Sequence, residues 1–358
     1  MAMNEAGSPL HPPTLLDLSR SELEQLLLSW DEPRFRVAQL WNGLYRRLAA
    51  GPDDLSDLPR GLRARLAADT IWDPLLPLAT ITSKDRQTRK VLFALPDGAQ
   101  IEAVLMHYTR RHTLCISTQA GCAIGCPFCA TGQAGFERNL SAGEIVAQVL
   151  FFARELAVAD QRVTNVVFMG MGEPLANYDA TWAAIRRLND PDGFGLGARA
   201  MTVSTVGLAP GIRRMAGEPE QVGLAVSLHA ATDELRDQLV PINRRFPLAE
   251  LLDACREYIR RTHRRVTFEY ALMAGVNDSD QHAHQLAGLV GGMLAQVNLI
   301  PLNPTPDGRY APSAPERVQA FQRILRQHDI AATVRLRRGL DIQAGCGQLR
   351  LHQRTTAS

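Results

Sequence analysis

The chain of 358 residues is 46% hydrophobic and 21% charged, and its formal net charge is +2. This composition is typical of a globular protein with one large domain and a smaller appendage, and the chain has no apolar run of about 18 residues to predict a membrane span. The weak net charge excludes a strong overall field that would attract a polyanion, although local groups of arginines leave an RNA partner open.

Changes of pattern divide the chain into segments. Residues 1–14 lack the charged-then-apolar pattern of a signal peptide, so we expect a disordered tail and a cytoplasmic protein. Residues 15–71 predict a small helical domain, residues 72–107 a β-hairpin linker and residues 108–350 the core domain, followed by a tail at 351–358.

Three helices are predicted in the first domain. Ser21 and Glu24 form a capping-box pattern before the first helix. Asp31 is expected to cap the second helix, and Pro59 suits the first turn of the third.

Two alternating runs follow, Lys90–Leu95 and Gln100–Met106, with Pro96-Asp97-Gly98 between them. This pattern predicts a β-hairpin. Glu102 lies on its second strand, and a glutamate in an apolar strand is ordinarily solvated and outward-facing.

Three cysteines, Cys122, Cys126 and Cys129, stand within eight residues in a glycine-rich stretch. Thiolates so close in sequence can bind one metal centre, and glycines let the backbone fold around it. An iron–sulfur cubane takes four ligands, so three cysteines would leave one iron open to an outside ligand. Structural zinc is the competing interpretation, but it needs a fourth protein ligand, and the nearest histidine is His112.

The core alternates short apolar runs with helical patterns. The predicted strands are His112–Ser117, Asn165–Met169, Met201–Thr205, Val222–Leu228, Val266–Leu272 and Gln296–Leu302. Helices are predicted near 142–157, 178–188, 208–217, 247–262, 279–291 and 315–328, with an extra strand at Ala331–Leu336. Such alternation predicts a parallel sheet, and six units are too few for the closed eight-stranded barrel. We therefore expect an α/β fold with an open, partial (β/α)6 barrel whose site lies at the carboxyl ends of the strands.

Polar residues and glycines follow four of these strands, where ligands bind in such folds. Taken singly, each is as easily a residue that caps a strand end, and His229 is as easily a structural group as a ligand contact. The candidates are Gly172 and Glu173 after the second strand, Ser204 at the third, Ser227, Leu228 and His229 at the fourth, and Asn303 at the sixth.

Two further cysteines are candidates for a reactive pair. Cys346 stands between Gly345 and Gly347, which predicts an accessible loop, and Cys115 lies at the mouth end of the first core strand. Cys255 lies in a helical pattern and is expected to be a buried small hydrophobe.

The spacing of Cys122, Cys126 and Cys129 resembles the radical S-adenosylmethionine (SAM) superfamily. The wider stretch from Thr113 to Leu140, with Arg338–Leu349, resembles the bacterial dual-specificity RNA methyltransferases that methylate carbon 2 of adenine. The resemblance covers most of the chain and implies a partial (β/α)6 radical SAM barrel with an RNA-contacting amino-terminal domain. One departure is Gly345, where the family usually has alanine, and it is expected to loosen the loop.

The resemblance also implies cofactors and partners. It implies a [4Fe-4S] cluster on the three cysteines and two SAM molecules per turnover, with the strand-end residues above as SAM contacts. The implied substrates are adenosine 2503 of 23S rRNA and adenosine 37 of tRNAs. An electron donor such as flavodoxin and a monomeric state are also implied.

For the chemistry, the resemblance implies that Cys346 carries the methyl group as S-methylcysteine. Carbon 2 of adenine is electron-poor and cannot attack the SAM methyl group directly, so a radical route is required. Cys115 would then form a transient disulfide with Cys346, and either Glu102 or Cys115 would accept the proton.

Three alternatives remain open on the sequence. One is a radical SAM enzyme of another class, against which Cys115 and Cys346 count. Another is a non-enzymatic iron–sulfur or zinc RNA-binding protein. The third is a carbon-8 methylating relative of the Cfr type, although the Arg-Gly-x-Asp-Ile start at Arg338 favours the carbon-2 enzymes.

Overall fold

The computed structural model describes residues 12–303, 308–335 and 338–349. Most of the predicted tail at 1–14, the tail at 351–358, Leu336 of the predicted extra strand and residue 350 of the core domain lie outside these ranges. In the described part of the chain, no helix is both long and apolar enough to cross a bilayer.

The amino-terminal unit is helical, as predicted. Its helices are α1 (Arg20–Leu28), α2 (Phe35–Tyr45) and α3 (Arg60–Asp69). The capping box is formed by Ser19 and Glu22, not by Ser21 and Glu24. Arg34, not Asp31, precedes α2, since Asp31 has a positive φ of 62° that belongs to a turn. Pro59 is the N-cap of α3.

Three antiparallel strands come next: β1 (Leu76–Thr82), β2 (Thr88–Ala94) and β3 (Gln100–Tyr108). The hairpin of β2 and β3 is confirmed, but the sequence pattern missed β1. Every residue of β1 is exposed, and it contains Pro77, so it shows no inward-facing alternation. Both features are typical of an edge strand. We call β1–β3 the β-extension.

The core is a partial barrel, as predicted. Its six parallel strands are β4 (Arg111–Cys115), β7 (Asn165–Phe168), β8 (Met201–Thr205), β9 (Gly223–Ser227), β10 (Val266–Leu272) and β11 (Ala295–Pro301). Strand β12 (Ala332–Val334) adds one more parallel strand. One ten-stranded sheet runs in the order β1-β2-β3-β4-β7-β8-β9-β10-β11-β12.

The main helices cover this sheet: α5 (Ala142–Val158), α6 (Tyr178–Asn189), α7 (Ala209–Met215), α9 (Leu248–Thr262), α10 (Asp280–Val290) and α11 (Pro315–Gln327). Sequence analysis also missed four short elements: the strands β5 (Gln119–Gly121) and β6 (Phe136–Asn139), the helix α4 (Ala130–Ala134) and the polar helix α8 (Asp233–Leu239). They are too short to show a period.

Candidate active site at the carboxyl ends of the strands

One large cavity opens at the carboxyl ends of the parallel strands. Of the candidates, all but Glu102 and Leu228 line it: Cys115, Cys122, Cys126, Cys129, Gly172, Glu173, Ser204, Ser227, His229, Asn303 and Cys346. Six segments far apart in sequence therefore converge at the end of the sheet where the fold predicts a site.

The three clustered cysteines lie on the loop between β5 and α4, which we call the cluster loop (residues 122–129). Cys126 is buried, while Cys122 and Cys129 are partly exposed to the cavity. Gly132 lies against this loop so closely that an added Cβ atom would stand 2.9 Å from the Cys126 nitrogen. Gly125 has a φ of 71°, which favours glycine. The glycines therefore allow the tight fold that the sequence predicted.

Burial raises the pKa of the Cys122 thiol to about 12 and that of Cys126 well above its ordinary value. Such thiols ionise when a metal binds, because the metal's charge replaces lost hydration. In the described residues, no three Cys, His, Asp or Glu side chains converge on one point as the ligands of a single ion do. The thiolates of a cubane bind separate irons and stand farther apart. The donor set fits an iron–sulfur cluster with one open iron.

Glu173 provides a buried carboxylate at the end of β7. Its oxygens accept hydrogen bonds from the backbone N–H groups of Val206 (2.8 Å) and Leu175 (3.0 Å). Burial raises the pKa of Glu173 to about 7. A cationic ligand group would favour the ionised form, so the carboxylate suits an ammonium.

The adjacent glycines serve packing within the protein. A Cβ atom added at Gly172 would stand 2.5 Å from the Gln119 Cβ, and one at Gly170 would stand 2.6 Å from the Ile116 backbone. The backbone at these glycines therefore lies close to the neighbouring β4–β5 segment, and Gly172 also lines the cavity.

His229 follows β9 in a left-handed conformation, with φ at 60°. Its Nδ1 accepts a hydrogen bond from the Ala271 N–H (3.0 Å), so the neutral ring carries its proton on Nε2. Burial is the main cause that lowers the pKa of His229 to about 3. The ring also packs edge-on against Phe128 of the cluster loop, with centroids 4.8 Å apart. Leu228 is fully buried behind it and does not line the cavity.

Cys346 lies on a carboxy-terminal loop that reaches the cavity from the far end of the chain, and we call residues 343–348 the thiol loop. The Asn303 amide donates to the Cys346 carbonyl (3.1 Å), and the Ala130 N–H beside the cluster loop donates to the Gly347 carbonyl (2.8 Å). The thiol loop therefore meets both the end of β11 and the cluster loop. Asn303 Oδ1 is buried without a hydrogen-bond partner among the described residues, and it lines the cavity, as a ligand contact would.

Gly345 is closely packed in this loop. A Cβ atom there would stand 2.5 Å from the Asn303 side-chain nitrogen, and the Gly345 N–H donates to the Gln348 side chain at 3.0 Å. The missing side chain makes room for Asn303.

Cys115 and Cys346 share the cavity with Arg335 and Glu269, which sequence analysis missed. Burial, and then the neighbouring Cys346, raise the pKa of Cys115 to about 12. The Cys346 thiol, followed by Glu269, raises the pKa of the Arg335 guanidinium. Glu269 is buried on β10 and accepts from the Asn298 amide (2.9 Å). The sequence could have indicated Glu269 as a carboxylate within an otherwise apolar strand. It could have indicated Arg335 by its place in a group of arginines.

A third missed residue, Arg236 on α8, is fully buried near the strand ends. Its guanidinium donates to the carbonyls of Leu228 (3.0 Å), Ser227 (3.3 Å) and Val206. The Asn243 side chain accepts a further bond at 2.8 Å. Arg236 thereby fixes the backbone that presents Ser227 and His229 to the cavity.

Glu102 is placed differently from the other candidates. It is 1% exposed, so the ordinary expectation of an outward-facing glutamate is wrong, and its carboxylate pairs with the Lys90 ammonium at 2.9 Å. The same ammonium donates to the Gln343 carbonyl of the thiol loop at 3.2 Å. Glu102 thus lies behind the cavity wall, linked through Lys90 to the loop that carries Cys346. Cys255 is fully buried in α9, as predicted.

Two family models match the chain. The radical SAM superfamily matches residues 116–287, and the ribosomal RNA large subunit methyltransferase N-terminal domain matches residues 14–71.

Named relatives match nearly the whole length. The probable dual-specificity RNA methyltransferase RlmN of Chloroflexus aurantiacus is 52% identical over 94% of this chain and 92% of its own. The dual-specificity RNA methyltransferase RlmN 1 of Myxococcus xanthus is 50% identical over 94% of both chains. A crystal structure of a radical SAM methyltransferase from Sphaerobacter thermophilus is similar with a TM-score of 0.93 and 52% identity, over 95% of this chain and 99% of that one.

Proposed function

The chain belongs to the RlmN family of dual-specificity RNA methyltransferases within the radical SAM superfamily, and from this premise we propose that it methylates carbon 2 of adenosine. The proposed targets are adenosine 2503 of 23S rRNA and adenosine 37 of tRNAs. The observation that carries the proposal is that Cys115 and Cys346 line the same cavity as the three cysteines of the cluster loop. A radical SAM enzyme without a covalent carrier needs no second pair of thiols there.

When bound, the cluster on Cys122, Cys126 and Cys129 supplies an electron that cleaves SAM to a carbon radical. When SAM is bound, Glu173 would accept hydrogen bonds from its ammonium group, and Gly172, Ser204, Ser227 and Asn303 would hold the rest of the molecule. His229 offers its Nε2–H as a donor, and Leu228 contributes its backbone only. Two SAM molecules are used per turnover, one as methyl donor and one as radical source.

Cys346 is the nucleophile. Its thiolate, beside the Arg335 guanidinium, takes the methyl group of the first SAM and becomes S-methylcysteine. One hydrogen of that methyl group would pass to the deoxyadenosyl radical formed from the second SAM, and the sulfur-bound methylene radical would add to carbon 2 of the adenine. Loss of the carbon-2 proton and return of one electron to the cluster would leave a closed-shell adduct. The Cys115 thiolate would then attack the Cys346 sulfur and break its bond to the methylene carbon, which would take up a proton to become the methyl group, and an external thiol would reduce the Cys115–Cys346 disulfide before the next turnover.

The proton of carbon 2 goes to Glu102 or Cys115. The family resemblance assigns it to Glu102, whose link through Lys90 to the thiol loop supports a role in the same step. Cys115 lines the cavity itself. Comparing the deuterium release from carbon-2-labelled RNA by Glu102→Gln and Cys115→Ser separates the two assignments.

The remaining proposals concern the roles of the domains, the oligomeric state, the location and the electron donor. Residues 15–71 form an RNA-contacting accessory domain, residues 72–107 a linker and residues 108–350 the catalytic domain. We further propose a monomer in the cytoplasm that takes its electron from a donor such as flavodoxin.

The test is to incubate anaerobically reconstituted protein with SAM, a reductant and 23S rRNA, and to map methylated adenosines by mass spectrometry. The expected product is 2-methyladenosine. A product methylated at carbon 8 would assign the chain to the Cfr-type activity, and deoxyadenosine release without RNA methylation would refute an RNA substrate.

A further inference from the structure

Two arginine side chains pack against the ring of Tyr108 at the cavity mouth. The Arg111 and Arg338 guanidinium carbons each lie 4.4 Å from the centroid of the Tyr108 ring. Arginine–ring contacts of this kind hold the cation in place while its N–H donors remain available.

The three side chains come from backbone positions that the fold brings together. Tyr108 ends β3, Arg111 begins β4 directly opposite it in the antiparallel pair, and Arg338 comes from the segment before the thiol loop. Arg338 also donates from Nη1 to the His107 carbonyl at 3.1 Å. Tyr108 and Arg338 line the same cavity as Cys346, whereas Arg111 is exposed. The two cations therefore mark one side of the entrance.

These charges are not neutralised by close carboxylates. Within the described ranges, no carboxylate oxygen lies within 4.0 Å of an Arg111 or Arg338 nitrogen in an ion pair. The Ser83 hydroxyl and the Gln87 N–H donate to the Asp85 carboxylate and lower its pKa, to which the Arg338 charge contributes less. Arg213 on α7 is the contrast, since it pairs with Glu250, Asp253 and Glu257.

The neighbouring turn carries charges of both signs, since Asp85 lies between Lys84 and Arg86. Lys84 and Arg86 are exposed between β1 and β2, and the Lys84 N–H donates to Asp341, three residues beyond Arg338, at 2.8 Å. Two like charges on one ring repel each other unless an anion lies between or beside them. An anionic partner is therefore favoured at this rim.

We propose that Tyr108, Arg111 and Arg338 form a phosphate clamp that binds the RNA backbone next to the adenosine entering the cavity. The inference rests on the proposed function and adds the surface through which the substrate is held. Guanidinium groups bind phosphate with two parallel N–H bonds, and such contacts position a strand without reading its sequence. Since the ring orders both arginines in advance, less side-chain entropy is lost on binding.

The experiment measures RNA affinity against salt concentration. The substrate is a 23S rRNA hairpin that contains the target adenosine, and the protein is the full chain with its cluster reconstituted. Each lost phosphate contact on a single strand lowers the slope of log affinity against log salt by about 0.7. The double variant Arg111→Gln/Arg338→Gln should therefore lose about 1.4 of slope and methylate the hairpin with a raised KM.

A matched control removes two other arginines. Arg256→Gln/Arg260→Gln changes the net charge equally on the exposed side of α9, and its slope should stay at the wild-type value. A third variant, Tyr108→Leu, keeps both cations but removes their support. It should weaken binding several-fold with little change of slope.

Iron content and the thermal midpoint of each variant show whether it is folded. A slope in the Arg111/Arg338 variant equal to that of the control would overturn the clamp while the methyltransferase assignment stands. If the wild-type chain methylates no RNA, the proposed function fails, and the clamp fails with it.

Discussion

The cluster loop and the thiol loop meet in one cavity but are held by different parts of the molecule. The cluster loop packs on the adjacent α4 at Gly132 and contacts the barrel where Phe128 meets His229. The thiol loop is bonded at Cys346 and Gly347 by Asn303 and Ala130. Its first residue and the segment before it are bonded by the β-extension, where the Lys90 ammonium donates to Gln343 and the Lys84 N–H donates to Asp341. Thus strands that precede the barrel in sequence help to position a cysteine that follows it.

The supports of the cluster loop and of the thiol loop have different tasks. A metal centre is built most accurately on rigid barrel elements, whereas a thiol that must visit both SAM and a base needs a loop whose supports can differ from those of the centre. The β-extension can then be altered without loss of iron, and the barrel ends cannot. The predictions below test this separation.

The largest effect is expected on the barrel side. Cys122→Ala should abolish iron binding, because a cubane held by two thiolates would lack a further ligand. Iron and sulfide are measured after anaerobic reconstitution. Cys255→Ala is the matched control, since this cysteine is buried in α9 away from the loop, and it should bind iron normally. Full iron occupancy in Cys122→Ala would contradict the cluster assignment.

Arg236→Met should destabilise the protein by about 4 kcal/mol, because three backbone carbonyls at the strand ends lose their donor in a buried site. Urea unfolding of the metal-free protein measures this loss. Arg256→Met, at an exposed position of α9, is the control and should change stability by less than about 0.5 kcal/mol. An equally small loss in Arg236→Met would show that these bonds do not hold the strand ends.

In the β-extension, Lys90→Met should lower the free energy of unfolding by about 3 kcal/mol, because the buried Glu102 carboxylate loses the Lys90 ammonium. Iron content should remain at the wild-type value while RNA methylation falls. The double variant Lys90→Met/Glu102→Leu should recover most of the lost stability. Loss of iron from Lys90→Met would remove the proposed separation between the two loops.

The smallest effect concerns pH. His229 has a pKa of about 3 in the folded chain and about 6.5 when unfolded. The unfolded state therefore binds the extra proton, and stability is lost as the pH falls below about 6.5. Between pH 7 and pH 5, the metal-free wild type should lose about 2 kcal/mol more than His229→Asn, whose side chain tolerates the positive φ. Equal losses in both proteins would mean that the ring is protonated in the folded state.

Sequence analysis located the barrel strands well. Strands β8 and β10 have the predicted bounds, because buried β-branched and aromatic runs are long enough to identify. Strand β1 and helix α8 were missed, since an exposed edge strand and a two-turn polar helix have no apolar face to show a period.

The residues of the candidate site that belong to recognisable sequence motifs were predictable. The cysteines and strand-end residues were named from spacing and resemblance, and the fold places most of them in one cavity. Arg335, Glu269 and Arg236 were not, because their environment depends on contacts between distant segments. The buried state of Glu102 likewise followed from its pairing with Lys90, which sequence alternation alone does not reveal.

The covalent role of Cys346 is tested most directly by Cys346→Ala, incubated under reducing conditions with SAM carrying a labelled methyl group and 23S rRNA. The account predicts that this variant keeps its iron and still releases deoxyadenosine but transfers no label to RNA. The wild type should show labelled S-methylcysteine at residue 346 and labelled adenosine. Labelled RNA from the Cys346→Ala protein would contradict the account.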